Sequence, residues 1–325
     1  MTDEAPFDVA IIGGGPGGYV AAIRAAQLGA RVALVEKDRL GGACLHRGCI
    51  PTKALLRTAE ALLESRDAST LGVVVKDAAV DFGAMMAWKE RAVAQQAEEL
   101  EKLIAWRKIA VFRGEGRLVG PGSIKVGDDL VAARKIIIAT GSSPIRLPIP
   151  GSNLPGVLTS DQILELEAMP ESLVIIGAGV VGCEFASIFA ALGARVTILE
   201  VLPRILPPVD EEIARRFQQV LRGQGVTIHT KASLQEIRAE GDRLRLLFGL
   251  GDEQQEVVAD RVLMAVGHRP CTDALEEAGP ALEDGSVAVN ERLETSVENV
   301  YAAGDVTGLY MLAYVASYQG IIAAE

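Results

Sequence analysis

The sequence predicts an α/β fold in which two similar strand–turn–helix–strand units follow one another along the chain. Two observations support this prediction. A glycine-rich turn follows a short apolar strand twice, in the segments 9–36 and 173–200, and these segments share 13 identities in 28 positions. Each segment also ends in an acidic residue, Glu36 or Glu200, after a second apolar strand. One internal repeat therefore organises the fold.

Composition limits the classes of function. The 325 residues suggest about two domains of ~150 residues each. A net charge of -11 argues against a nucleic-acid partner or an anionic membrane, since both bind basic surfaces. No apolar run approaches the ~20 residues that a membrane span requires. Asp3 and Glu4 stand where a signal peptide would be basic, and four cysteines are too few for a secreted disulfide scaffold, so we expect a cytoplasmic protein.

The repeated glycines have the spacing of a dinucleotide-binding turn. In such a turn the first glycine permits a tight bend, the second lets a pyrophosphate approach the backbone, and the third allows the helix to pack closely on the strand. A structural turn that binds nothing is the alternative, and the duplication makes it the weaker one. The glycines that fill these three roles are Gly13, Gly15 and Gly18 in the first unit and Gly177, Gly179 and Gly182 in the second.

The two terminal acids lie where a carboxylate can bind ribose. Glu36 and Glu200 each follow the third glycine by 18 residues and can accept hydrogen bonds from adenosine ribose hydroxyls. A carboxylate at Glu200 repels a 2′-phosphate, and the next residues, Val201 and Leu202, are apolar where NADP sites usually carry arginine. We therefore expect NAD in the second unit, although Arg204 is close enough in sequence to leave NADP as an alternative.

A pair of cysteines lies just beyond the first unit. Cys44 and Cys49 are separated by four residues, and Pro51 fits the first turn of a helix whose N-terminus would favour thiolate. A redox-active disulfide is the favoured interpretation. The alternatives are two inert buried cysteines, or a zinc site of Cys44, His46 and Cys49, which lacks an obvious fourth ligand. The remaining cysteines, Cys183 and Cys271, are expected to be buried small hydrophobic residues.

These motifs together resemble the flavoprotein disulfide reductases, and in particular the dihydrolipoamide dehydrogenase branch of that family. Mercuric and glutathione reductases share much of the pattern and remain alternatives. The resemblance runs along the whole chain and rests on Gly41–Lys53 with its two cysteines, Ala139–Gly141, Gly177–Gly182 with Glu184, Gly304–Asp305 and Tyr310–Ser317.

The resemblance implies two cofactors, with FAD bound by the first unit and NAD by the second. Cys49 would be the thiol at the flavin, and Cys44 the one that exchanges with substrate. Lys53, paired with Glu184, would lie beside the flavin and stabilise negative charge on its reduced ring. The implied reaction oxidises a dithiol, most simply dihydrolipoamide carried by an acyltransferase subunit of a 2-oxo acid dehydrogenase complex, and reduces NAD.

The resemblance also assigns further residues and a domain organisation. A discontinuous FAD domain, residues 1–147 and 271–325, would enclose an inserted NAD domain at 148–270. Asp305 would bind the ribitol chain of FAD. The other cofactor-binding residues that it implies are Thr140 and Gly141 along FAD, Gly267 in the NAD domain, and Leu312 and Ala313 beside the flavin.

Two departures from the family pattern are visible. The family ends in an interface domain that forms a homodimer and supplies a His-Glu pair, whereas this sequence stops at Glu325, and none of its histidines, His46, His229 and His268, has that spacing. The expectation is a chain that reduces dyes with NADH but oxidises dihydrolipoamide poorly, unless His46 supplies the base. Tyr314 stands where the branch often has histidine. The resemblance therefore does not specify the reduction potential of the flavin. A silent nucleotide-binding fragment is the alternative of another class.

Overall fold

The computed structural model describes residues 5–275 and 279–325, so Asp3 and Glu4 lie outside the described residues. The chain divides into two compact units. The first unit comprises the described parts of Met1–Cys49, Val93–Ser143 and His268–Glu325, and the second comprises Ile50–Ala92 and Pro144–Gly267.

The helices are placed as the repeat predicts, with one after each glycine turn. In chain order they are α1 (Pro16–Gln27), α2 (Gly42–Arg47), α3 (Cys49–Asp67), α4 (Phe82–Trp106), α5 (Val180–Ala191), α6 (Glu211–Gly223) and α7 (Ala313–Ala324).

The strands are short, and most belong to sheets of their own unit. Up to Pro144 they are β1 (Phe7–Ile12), β2 (Val32–Glu36), β3 (Ala110–Arg113), β4 (Gly116–Gly120), β5 (Ser123–Val126), β6 (Asp129–Ile138) and β7 (Ser142–Pro144). Up to Pro270 they continue as β8 (Val157–Thr159), β9 (Ser172–Ile176), β10 (Arg195–Glu200), β11 (Thr227–Thr230), β12 (Ala232–Glu240), β13 (Arg243–Leu250), β14 (Glu253–Ala259), β15 (Arg261–Met264) and β16 (His268–Pro270). The last are β17 (Leu282–Glu283), β18 (Ser286–Val287) and β19 (Val300–Ala302).

The first unit is built on a parallel sheet that places its glycine turn at the carboxyl edge. Its order runs β3-β2-β1-β6, and β19 pairs with β6 in parallel. The amino half of β6 pairs instead with β5 in an antiparallel extension that ends at β4. The turn after β1 and the end of β2 meet at one edge, because Ile12 pairs with Val35 and Glu36 follows directly.

The second unit repeats this arrangement. Its parallel sheet has the order β11-β10-β9-β15-β8, and an antiparallel sheet of β12, β13 and β14 accompanies it. Ile176 pairs with Leu199, so the second glycine turn and Glu200 again meet at the carboxyl edge. This edge is where nucleotides bind in open parallel sheets.

Local sequence explains why the helices begin where they do. Pro16 occupies the first turn of α1, where a missing amide costs nothing. The Asp210 carboxylate caps α6 by accepting hydrogen bonds from the amides of Glu212 and Ile213. Both helices therefore start at residues whose chemistry is suited to a helix N-terminus.

Each unit has its own apolar core. In the second unit one side of helix α5 is buried, with Phe185 and Phe189 packed among side chains of β9 and β10. Leu55 of α3 and Met85 of α4 belong to the same core. Residues 50–92, which the sequence assigned to the first nucleotide domain, therefore group with the second unit.

The predicted α/β class with two Rossmann-like domains is confirmed, and residues 144–267 of the second unit interrupt the first unit in sequence. Within the ranges 5–275 and 279–325, no helix combines the length and apolar character needed to cross a membrane.

Candidate functional site

The three glycines of the first turn differ in the space around them. A Cβ on Gly13 (φ +104°) would lie 2.1 Å from the Ala139 carbonyl oxygen. A Cβ on Gly18 would lie 1.7 Å from the Gly13 carbonyl oxygen. By contrast, a Cβ on Gly15 would meet nothing closer than the Gly42 Cα at 3.9 Å. The outer glycines are therefore required by the fold, while the middle one leaves open space at the start of α1.

The second turn has the same division. A Cβ on Gly177 (φ +97°) would lie 2.4 Å from the Ala265 carbonyl oxygen. A Cβ on Gly182 would lie 2.1 Å from the Gly177 carbonyl oxygen. Gly179 has nothing within 4 Å of its Cβ position. Both turns thus present an open cradle at a helix N-terminus, which fits the diphosphate of a dinucleotide.

The two acids hold their glycine turns through backbone amides. The Gly14 amide donates to Glu36 Oε2 at 2.7 Å, and the Ala178 amide donates to Glu200 Oε2 at 2.6 Å. Both carboxylates are buried. The Oε1 atom of each also accepts a hydrogen bond, from the Asp38 amide in the first unit and from the Leu202 amide in the second. Each oxygen keeps further acceptor capacity, so ribose binding by either acid stays a prediction that this geometry permits.

A pocket in the first unit joins several predicted FAD residues. Its lining includes Gly13, Glu36, Thr140 and Cys271. The Thr140 hydroxyl donates to the Cys271 carbonyl at 2.6 Å, and the Cys271 amide donates to the Gly141 carbonyl at 2.9 Å. The expectation that Cys271 is a buried hydrophobic residue is wrong, because it is only partly buried and lines this pocket.

The other predicted FAD residues lie in the short helical turn Asp305–Thr307 and at the start of α7. Asp305 Oδ2 accepts a hydrogen bond from the Ser142 hydroxyl at 2.6 Å. Leu312 precedes the helix, Ala313 begins it, and Tyr314 is 72% exposed. Their roles toward a flavin stay predictions.

The cysteine pair lies on two consecutive helices. Cys44 belongs to α2, and Cys49 is the first residue of α3, with Gly48 between the helices. Both are partly buried thiols. The N-terminal position favours the thiolate form of Cys49, which is the reactive form in exchange. The loop is fixed to the first glycine turn, since the Gly41 amide donates to the Gly14 carbonyl at 2.8 Å.

Tyr19 is a neighbour of this pair that sequence reasoning missed. Burial raises the pKa of its phenol above the usual value, and the Cys44 and Cys49 side chains raise it further. Tyr19 directly follows Gly18 on α1, but no local pattern indicates that the cysteine loop returns to this helix. The phenol therefore stays protonated at neutral pH near the cysteine pair.

His46 lies within the cysteine loop and is held by the backbone. Its Nε2 lies 2.8 Å from the Leu40 carbonyl oxygen, while its Nδ1 is buried with no hydrogen-bond partner. Burial lowers the pKa of this imidazole. A neutral ring that donates from Nε2 suits this environment. The other histidines lie in strands, His229 in β11 and His268 in β16.

The predicted pair of Lys53 and Glu184 forms in the second unit. Lys53 Nζ on α3 lies 2.5 Å from Glu184 Oε1 on α5. Gly267 directly precedes β16 and has a φ of +108°. Its carbonyl oxygen accepts a hydrogen bond from the Ile145 amide at 3.0 Å.

The remaining cysteine, Cys183, is buried as expected, and the zinc alternative gains no support. Burial raises the pKa of the Cys183 thiol to about 12, and Glu200 and Glu184 add to the shift. Among the residues that the structure describes, no cluster of three or more histidine, cysteine or acidic side chains could hold a metal ion.

Comparisons with known proteins agree with this geometry. The family model described as pyridine nucleotide-disulphide oxidoreductase matches residues 7–320. A dihydrolipoyl dehydrogenase of Chlamydia pneumoniae is 43% identical over 100% of this chain and 70% of its own length. One from Bacillus subtilis is 39% identical over 98% of this chain and 71% of its own length. Among solved structures, the Cu(II) complex of the HOCl-induced flavoprotein disulfide reductase RclA from Escherichia coli has a TM-score of 0.87 and 32% identity, covering 98% of this chain and 70% of that one.

Proposed function

The chain belongs to the pyridine nucleotide-disulphide oxidoreductase family, whose members use FAD and NAD(H), and from this premise we propose that it oxidises a dithiol through Cys44 and Cys49. The observation that carries the proposal is the position of the cysteine loop. Its Gly41 amide is bonded to the Gly14 carbonyl, inside the glycine turn with an open phosphate cradle. This contact supports a redox pair held beside the proposed nucleotide site.

The residues of the first unit fit FAD. Gly15 supplies the open approach for the pyrophosphate, and Glu36 would accept from the adenosine ribose. Thr140 and Gly141 would pack along the cofactor, and Asp305 would bind its ribitol hydroxyls with Ser142 as its neighbour. Leu312 and Ala313 would lie beside the ring. The second unit would hold NAD through Gly179, Glu200 and Gly267.

Thiol exchange accounts for the roles of the two cysteines. A substrate thiolate attacks the sulfur of Cys44 in the oxidised pair, and Cys49 leaves as a thiolate that the start of α3 stabilises. The second substrate thiol then displaces Cys44, so the substrate becomes a disulfide and the cysteine pair becomes a dithiol. FAD, held by the first unit, would supply the acceptor for the resulting electron pair, and NAD, held by the second, would supply the acceptor of hydride.

Lys53 and Glu184 would set the charge beside the reduced flavin ring. The ammonium supplies a fixed positive charge one helical turn after Cys49, and the Glu184 carboxylate orients it. Positive charge held in place favours any anion that forms beside it.

Dihydrolipoamide is the dithiol that we propose as substrate, carried by an acyltransferase subunit of a 2-oxo acid dehydrogenase complex. The relatives named dihydrolipoyl dehydrogenase at 43% and 39% identity support this choice. A homodimer is the assembly that we propose for the working enzyme. Glutathione-type or mercuric reductase activity would use the same cysteine pair in the opposite direction.

A substrate panel tests the proposal. The FAD-loaded protein is assayed for NAD reduction with dihydrolipoamide, and for NADH oxidation with glutathione disulfide and with mercuric ion. We expect slow turnover with dihydrolipoamide, above the background of the C44S and C49S variants, which should both lose it. Faster turnover of glutathione disulfide or mercuric ion would assign another branch, and no thiol chemistry with any of them would indicate a silent nucleotide binder.

A further inference from the structure

The segment after Glu200 returns to the second glycine turn. We call Val201–Val209 the return loop. The Leu206 amide donates to the Ala178 carbonyl at 2.8 Å, while the Ala178 amide donates to the Glu200 carboxylate. The peptide groups on both sides of Ala178 are therefore held by Glu200, the last residue of β10, and by Leu206 in the return loop.

The first unit makes the same pair of contacts by another means. There the Gly14 amide donates to Glu36, and the Gly14 carbonyl accepts from Gly41. Gly41 has a φ of +107°, which glycine adopts freely. Leu206 occupies the corresponding point with a φ of +47°, in the left-handed region that leucine avoids. The second loop therefore needs additional contacts to hold this conformation.

Arg204 provides those contacts. Its guanidinium donates to the carbonyl oxygens of Leu206 at 3.3 Å, Val209 at 2.9 Å and Pro207 at 2.5 Å. Hydrogen bonds from a charged donor are stronger than neutral ones. The side chain is partly buried and directed at its own loop, at the carbonyl of Leu206, which contacts Ala178, and at two carbonyls that follow it.

The loop carries the surface next to the Glu200 carboxylate. Val201 and Leu202 are exposed, and the Leu202 amide donates to Glu200 Oε1 at 2.8 Å. A fixed loop thus keeps the carboxylate and two apolar side chains where an adenosine ribose would bind. A 2′-phosphate at that place would meet negative charge.

We propose that Arg204 is a positioning residue for the second nucleotide site, holding the return loop in place, and that it does not serve as a cation for a 2′-phosphate. This inference rests on the proposed binding of NAD in the second unit. Arg204 lies at the loop where an NADP site would carry its cation, but its donors are directed to backbone carbonyls.

Calorimetric titration of the FAD-loaded protein with ADP-ribose and with 2′-phospho-ADP-ribose tests the inference. For R204A we expect ADP-ribose affinity to fall about tenfold, because charged hydrogen bonds to the loop are lost. The preference for ADP-ribose over its phosphorylated form should not increase. In steady-state assays the KM for NADH should rise by a similar factor while kcat at saturation stays unchanged.

Three comparisons make the result decisive. R204K, which keeps a cationic donor, should recover part of the ADP-ribose affinity, and it decides the question if R204A does not fold. R215A, which removes an exposed charge from α6, should bind as the wild type does. Loss of 2′-phospho-ADP-ribose binding alone in R204A would overturn the inference. Absence of ADP-ribose binding by the wild type would instead overturn the proposed NAD site, and the inference with it.

Discussion

Lys53 Nζ lies 2.5 Å from Glu184 Oε1, joining the helix that begins at Cys49 to the helix that follows the second glycine turn. The lysine side chain is 56% exposed and the glutamate side chain 24%. A pair this exposed contributes only about 0–1 kcal/mol to stability. Its effect on chemistry can therefore be measured without loss of the fold.

Replacing Lys53 with methionine should slow reduction of bound flavin by NADH, because the positive charge proposed to stabilise the reduced flavin ring is lost. Removing one such preorganised group typically costs about 10²-fold in rate. Stopped-flow absorbance measures the rate. K53R should retain more activity, and K76M, which removes an exposed lysine of the same unit, should behave as the wild type. Equal rates for K53M and K76M would contradict the role.

Alanine at two glycines of the second turn should give opposite defects. G179A should fold within about 1 kcal/mol of the wild type, since its Cβ meets nothing within 4 Å, but should bind NADH weakly because a methyl enters the phosphate cradle. G182A should be destabilised by about 1–3 kcal/mol, because its Cβ would lie 2.1 Å from the Gly177 carbonyl oxygen. Thermal unfolding and nucleotide titration separate the two effects. G223A on α6, also unobstructed, is the control, and normal NADH binding by G179A would count against the cradle.

Serine at either cysteine should separate the roles of the two thiols. C49S should keep FAD but lose the long-wavelength absorbance expected when a thiolate contacts oxidised flavin. C44S should keep that absorbance, because Cys49 remains at the start of α3. Visible spectra recorded across a pH series measure the band. Identical spectra for the two variants would show that the assignment is wrong.

His46 should make stability fall in acid. Its folded-state pKa is lowered by burial below the ordinary value of 6.5, so the unfolded chain takes up the proton more readily. The contribution of the neutral His46 imidazole to the free energy of unfolding is fully present above pH 6.5. It is lost as pH falls through the lowered folded-state pKa of His46. Denaturant unfolding between pH 8 and 5 should show a shallower decline for H46Q than for the wild type, and parallel curves would refute this.

The repeat was sufficient to predict the parallel sheets, both glycine turns and both acids, because local spacing determines these features. The environment of Cys271, the proximity of Tyr19 to the cysteines and the grouping of residues 50–92 with the second unit were not predictable in this way. Each depends on contacts between segments distant in sequence. Arg204 shows the limit most clearly, since sequence left it as an NADP alternative, and its three carbonyl partners, on which the proposed positioning role rests, are visible only in the structure.

An anaerobic reductive titration of the FAD-loaded protein tests the central claim, that Cys44 and Cys49 form a redox pair with the flavin. A disulfide is a two-electron couple, so the protein should take up two electrons before the flavin is fully reduced, and two more to complete it. The C44S/C49S double variant should lose the first uptake and keep the second. Full flavin reduction by a single two-electron uptake in the wild type would contradict the account.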